Sequence, residues 1–258
     1  MAEVGKYLYC IIPCSVERTF AIAPIDDGVG GVSTICHEGL AAVVSDATSR
    51  HYESTRSNLM AHEKVLEAVM TEFTLLPVRF GTVADAATPA QDIHKLLSHK
   101  SEEFRELLRG MEGTTELGLK AFWRNEKAIF PELLAENPEI KRLIDSLSAR
   151  SRQASASSPE RLHLGQMVKE ALELKRAREA AQILSPLRPL AQRLRENFPL
   201  VDRMIANAAF LVEREREPEF DIAVSTLDRQ LGQRVAFKYV GPVPPYNFVN
   251  IVVNWEEL

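Results

Sequence analysis

The 258-residue chain contains no apolar run approaching the roughly 18–20 residues needed to cross a bilayer. Its early apolar stretch, Tyr7 to Ile12, stops at Pro13 and precedes no small-residue cleavage site, so neither a membrane partner nor a secretory leader is expected. Cysteine is scarce. Cys10, Cys14 and Cys36 cannot all pair with one another, and a chain of this length needs no staples, so reduced thiols in a cytoplasmic protein are the expectation. A basic excess is also missing: 31 Lys plus Arg stand against 36 Asp plus Glu, a net charge of -5. A surface that tracks phosphates needs the opposite balance, so nucleic acid is not an expected partner. No repeat of fixed period is present, which excludes solenoids and propellers.

What is present is an ordinary globular composition, 45% hydrophobic and 26% charged, enough for a sizeable core. At about 150 residues per domain the length suggests two domains. Residues 6–12 (KYLYCII) read as a buried strand, and 32–37 and 40–45 as two strands joined tightly at Glu38-Gly39. Residues 58–73 take up helical spacing through Leu59, His62, Leu66, Val69 and Phe73. LLPVRFGTV (75–83) returns to extended character, with Pro77 suited to an edge. A helical segment over 89–109 is opened by Thr88-Pro89.

In the second half, 115–123 alternates as a half-buried strand, and helices are expected at 126–136, 138–149 and from Pro159 onward. The Ser-rich 151–159 reads as a loop, and a further short helix is expected to reach about Asn197. Strands at 204–214 and 234–240 flank a helix at 217–231, and 247–253 is a candidate last strand. The fold class is therefore α+β in two domains. The first is a small sheet domain over 1–110, and the second, over 111–258, is a modified ferredoxin-like domain with a helical insertion.

Each near-motif for chemistry lacks a required member. His62-Glu63 begins a HExxH pattern, but Leu66 holds the place of the second His. His94 and His99 are five apart, and Cys10 and Cys14 have no second pair to complete a zinc site. Gly28, Gly30 and Gly31 lack the following Lys-Ser/Thr and the helix start that a phosphate loop needs. No G-x-S-x-G elbow occurs, and Glu213 to Glu217 alternates in sign like a solvated face. Phe237 and Tyr239 read as core rather than a base-stacking platform. No catalytic residue, cofactor site or metal site is assigned.

Two segments ask for more than packing. LPVRFGTV places Arg79 inside an apolar stretch, followed by Phe80 and Gly81, so a buried, paired guanidinium is expected. GPVPPYNF (241–248) combines three prolines with Tyr246 and Phe248, a stiff segment offering aromatic surface. Arg79, Phe80, Gly81, Tyr246 and Phe248 are the candidate partner-binding or structural residues.

The same segments carry a resemblance. YLYCII, HEGLAAVVSD, AHEKVLEAV, LPVRFGTV, LGLKAFW, NAAFLVERE and GPVPPYNFV stand in the order seen in the gas vesicle protein F and L family (GvpF/GvpL), over roughly residues 6–250. Cys10 departs from the small residue frequent there, and Val243 from a common Trp, which leaves Tyr246 and Phe248 as the aromatic anchors. The resemblance implies a non-enzymatic accessory component of gas vesicles, the gas-filled organelles that give microbial cells buoyancy. It implies two α+β domains, the second a modified ferredoxin type. Its implied partners are the hydrophobic shell protein GvpA and other accessory proteins, and its implied task is to hold the shell protein back from premature aggregation during nucleation. A ligand-binding regulator using the ferredoxin-like half, or a plain spacer in the vesicle wall, are the competing readings.

Overall fold

The run Lys6 to Ile12 has no polar face, as a strand covered on both sides requires. In the computed structural model, which describes residues 5–25, 30–84, 88–150 and 159–257, it forms β1 (Gly5–Pro13), buried along nearly its whole length. Gly28 of the glycine stretch and the Ser-rich 151–158 lie outside the described residues. Two compact units emerge: Met1–Leu117 with Gly241–Leu258, and Gly118–Val240. The 110/111 boundary expected from the sequence is thus replaced by two crossings. The C-terminal segment packs with the first unit because Asn247 bonds to Glu116 there.

In the first unit, β1 pairs antiparallel with β4 (Leu40–Ala47), and β4 with β3 (Val32–His37), which continues to the short β2 (Thr19–Phe20). The β3–β4 turn is the expected Glu38-Gly39 pair, with φ of 46° and 84°, the positive values of a two-residue hairpin turn. On its other side β1 pairs with two fragments, β5 (Leu76–Pro77) and β6 (Val83–Ala84). The extended run expected over 75–83 is therefore broken in the middle.

A bulge between Leu8 and Cys10 inserts Tyr9 as an extra residue, so Tyr7, Tyr9, Cys10 and Ile12 all join one core cluster. Against that face lies α1 (Arg56–Met70), capped by the Thr55 side chain and burying His62, Val65, Leu66 and Val69. The expected helix over 89–109 is two: α2 (Pro89–His99) and α3 (Ser101–Met111), which also pack on this sheet.

The second unit's sheet has the order β10-β7-β9-β8, from β7 (Thr114–Trp123), β8 (Arg193–Glu196), β9 (Met204–Glu213) and β10 (Val235–Val243). Between β7 and β8 come α4 (Glu126–Glu136), α5 (Pro138–Arg150) and α6 (Pro159–Leu184), and α7 (Glu217–Leu231) joins β9 to β10. The segment expected as a helix up to about Asn197 is instead strand β8. Gln192 and Asn197 donate backbone N–H groups to Leu211 and Asn207 at its two ends, and pairing with β9 outweighs helical propensity. Its charged, exposed side chains suit a sheet edge. The strand expected at 247–253 reduces to one bridge, at Ile251.

Charge organises the helical side of this unit. Lys175, only 5% exposed, takes the inward place on α6, while its neighbour Leu174 faces solvent. Its ammonium lies 3.1 Å from Glu132, 2.5 Å from Glu136 and 3.6 Å from Glu179. Arg234 forks onto Glu132 at 2.8 and 2.7 Å and reaches Glu179 at 2.8 Å, which also accepts the Trp123 indole N–H at 2.7 Å. Hydrogen bonds from Arg234, supported by Lys175, hold the Glu132 carboxyl down at about 2. Because the folded value lies below the ordinary 4.5, the unfolded chain takes up the proton first as pH falls. The stabilisation from Glu132 is complete above about pH 4.5 and is lost between there and about 2. Urea midpoints measured from pH 7 downward are expected to fall in that window, and Arg234→Met should flatten the fall. An unchanged slope in the variant would contradict the assignment.

Candidate protein-docking site

The gap between β5 and β6 builds the site. Pro77 ends β5 opposite Cys10, and the Val78 N–H then donates to the Tyr9 carbonyl at 3.0 Å. Val78 forms a parallel bridge with Ile251, and the Arg79 N–H donates to the Ile251 carbonyl at 3.1 Å. The chain turns at once: the Thr82 hydroxyl donates to the Arg79 carbonyl at 2.6 Å, and the Leu8 N–H to the Thr82 carbonyl at 2.9 Å. Gly81 takes φ 81°, which a side chain would strain, and its N–H donates to the buried Tyr7 hydroxyl at 3.0 Å.

That hydroxyl is also 3.0 Å from Nδ1 of His62 on α1. His62 stacks on Tyr9 at 5.6 Å and meets the edge of Phe80 at 5.6 Å, so Phe80 closes an aromatic cluster around a buried imidazole. His62 is thus satisfied by a partner 55 residues away along the chain. Burial also pushes the Cys10 thiol well up, which makes it an inert core residue. Among the described residues no group of three or more His, Cys, Asp or Glu side chains is placed to hold a metal.

The Pro-rich segment forms the opposite wall. A Cβ on Gly241 would lie 2.7 Å from the Leu117 side chain and 3.0 Å from the Glu116 carbonyl, so only glycine fits there. Beyond it, N–H groups of Tyr246, Phe248 and Val249 donate back to Pro244 and Pro245 in a tight turn. Glu116, 3% exposed, accepts from the Asn247 backbone N–H at 2.8 Å and from its side-chain amide at 2.6 Å. This pair of hydrogen bonds fixes the turn, and the Tyr246 hydroxyl then donates to Glu63 of α1 at 2.6 Å.

Between the walls lies a cleft of about 410 Å³, lined by Leu59, His62, Glu63, Pro77, Val78, Arg79, Phe80, Tyr246 and the Val249–Val252 segment. Of the five residues singled out in the sequence, Arg79, Phe80 and Tyr246 line it, Gly81 shapes the turn beneath it, and Phe248 lies outside it, half-buried. Arg79 corrects its expectation. The turn after Val78 ends the buried stretch, and its guanidinium is exposed at the cleft wall with no carboxylate partner among the described residues. Sequence reasoning missed Glu63, Val249, Ile251 and Val252 as lining groups. The α1 periodicity held the signal for Glu63, which follows Leu59 by one helical turn.

Burial holds the His62 imidazole down at about 4. The unfolded chain, with an ordinary value near 6.5, therefore protonates first, and stability is lost as pH falls from about 6.5 to 4. His62→Gln is expected to remove that part of the pH dependence from urea titrations followed by circular dichroism. A wild-type midpoint that stays level across this window would refute the buried neutral imidazole.

A family model described as gas vesicle synthesis protein GvpL/GvpF matches residues 5–250, which include every residue of the turn and the Pro-rich wall up to Asn250. Gas vesicle protein F of Microcystis aeruginosa (strain PCC 7806) is 32% identical over 252 residues, covering 96% of this chain and 99% of its own. The protein of the same name from Nostoc sp. (strain PCC 7120) is 31% identical over 250 residues, 96% and 98% of the two chains. The crystal structure of GvpF from Anabaena sp. PCC7120 matches with a TM-score of 0.81 at 30% identity, covering 97% of this chain and all of that one. The resemblance read from the motifs is thus a membership: the chain belongs to the GvpL/GvpF family of gas vesicle synthesis proteins.

Proposed function

We propose that the protein binds the hydrophobic gas vesicle shell protein during nucleation, together with other accessory proteins, and keeps it from aggregating before assembly. The observation that carries this reading is a cleft in a gas vesicle family member around which apolar side chains stand exposed: Leu59 at 43%, Val252 at 51% and, beside Leu59, Met60 at 48%. Apolar surface gathered at one concave place marks a docking site more often than chance exposure does. A shell subunit that polymerises through apolar surface and strand edges aggregates unless these are covered. The cleft offers such a subunit an apolar wall that includes Phe80 and the solvated Arg79 guanidinium, with Gly81 in the turn beneath it. We read the second unit as a modified ferredoxin type, a reading supported by its strand, helices, strand, strand, helix, strand order. The site of action is the cytoplasm and the vesicle.

Co-purification with tagged shell protein tests the proposal. Wild type is expected to be retained, while Leu59→Asp and Arg79→Glu, both at exposed positions, should each weaken retention by roughly tenfold, about 1.4 kcal/mol. Tyr246→Ala, which removes the bond to Glu63, should weaken it as well. Wild type that fails to bind the shell protein, alone or with the other accessory proteins, would defeat the function. Folded variants that all bind like wild type would move the contact away from this cleft.

A further inference from the structure

A second cleft in the first unit has a different chemistry. It measures about 430 Å³ and lies where the end of β1, the β3–β4 turn and α3 meet. Its floor is apolar: Leu40 and Leu108 are buried there, with Pro13 at the edge. Its rim carries two guanidiniums, Arg105 and Arg109, one helical turn apart on α3. Arg105 gives one N–H to the Glu38 carbonyl at 2.8 Å, and the Arg109 Nε–H donates to the Arg105 carbonyl at 3.3 Å. Neither is ion-paired with a carboxylate among the described residues, and a guanidinium has five N–H donors, so most of both forks is open to the cleft. Glu112 is the one acidic side chain that lines it.

We propose that this cleft docks an acidic amphipathic helix of a partner protein, one with two carboxylates a turn apart beside a large apolar side chain. Charge complementarity selects the occupant. The chain as a whole is negative, at -5, yet here it sets two uncompensated cations over an apolar floor. Side chains four apart on a helix stand about 5–6 Å apart at Cβ, so Arg105 and Arg109 match the repeat of acidic residues on a facing helix. Planar guanidinium forks favour carboxylates in paired geometry. The volume admits one or two bulky side chains, and the floor recovers their apolar surface. The Glu38-Gly39 turn holds Arg105 in place, so the rim is partly organised before anything binds. Glu112 sets direction, because an occupant's carboxylates avoid that end.

This inference stands independently of the Arg79 cleft. A fluorescein-labelled helical peptide with Glu residues four apart flanking Leu is the probe, read by fluorescence anisotropy on the full chain. The Glu peptide is expected to bind, and versions with Lys for Glu, or Ser for Leu, to bind at least tenfold more weakly. Arg109→Glu should abolish preference for the acidic peptide and confer binding of the Lys peptide, a reversal that a damaged fold cannot produce. Arg79→Glu should leave peptide binding unchanged, which separates this site from the shell-protein reading. Acidic and basic peptides binding alike, no binding at millimolar peptide, or an Arg109→Glu variant that behaves as wild type would each overturn the proposal. Full displacement of the peptide by octanoate, with octanoate binding more tightly, would assign the cleft to a small carboxylic acid instead.

Discussion

Two tyrosine hydroxyls on β1 are buried, and a buried hydroxyl without a partner costs roughly 1–3 kcal/mol, as much as burying a large apolar side chain returns. Tyr7 is satisfied by Gly81 and His62, and Tyr9 by the Ser45 hydroxyl at 2.9 Å and the Ile25 N–H at 2.9 Å. Each partner comes from a different element. The turn between β5 and β6, the register of α1, the path after β2 and the β4 strand are therefore tied to one pair of side chains. The bulge at Tyr9 makes this possible, since it keeps both rings on the α1 face while β1 continues to bury its other side. The cleft beside Arg79 is anchored on this arrangement: the Gly81 N–H that satisfies Tyr7 belongs to the turn that follows Arg79.

Buried charge follows the same logic elsewhere. Glu116 is nearly inaccessible, and the backbone and side-chain N–H groups of Asn247 converge on its two oxygens. That demand fixes the Pro-rich segment more tightly than its prolines do, and it places Tyr246 within reach of Glu63. In the second unit Lys175 is buried among Glu132, Glu136 and Glu179, and Arg234 and Arg178 neutralise the surplus carboxylates. A buried ion pair contributes little net stability against an apolar replacement, but removing one partner leaves a stranded charge. The network therefore acts chiefly as a constraint on which helix faces meet.

Local signals were legible in the sequence. The Glu38-Gly39 hairpin, β1, β7, α4 and α7 fall where periodicity and turn chemistry put them, because there the local preference and the tertiary demand agree. The misses are places where they disagree. Residues 193–196 carry helix-forming Arg, Leu and Glu yet pair with β9, since an edge position accepts charge that a core strand would not. On α6 the apolar Leu174 faces solvent, and three carboxylates draw Lys175 in instead. The apolar neighbours of Arg79 point it inward, but the buried stretch ends at Val78 and Arg79 is exposed. Residue type marked the 79–81 and 246–248 segments as unusual. Which of their side chains face a cleft depends on hydrogen-bond partners 74 to 183 residues away, and spacing carries no record of that.

The unpaired arginines bear on what the clefts are for. Arg79, Arg105 and Arg109 each stand beside apolar walls in a chain whose acidic residues outnumber its basic ones. Ion pairing with a surface carboxylate would cost the fold almost nothing and return a fraction of a kcal/mol, roughly 0.2–1 kcal/mol. Stability therefore gives no reason to hold these three cations apart from the available carboxylates, whereas Lys175 and Arg234 show that the chain pairs cations closely where structure depends on it. A solvated guanidinium beside an apolar wall gains its energy when a partner excludes the water and supplies the anion. The placement of these three side chains is therefore the common ground of the two docking proposals, and Arg105 alone among them is also tied to a turn of the fold, at the Glu38 carbonyl.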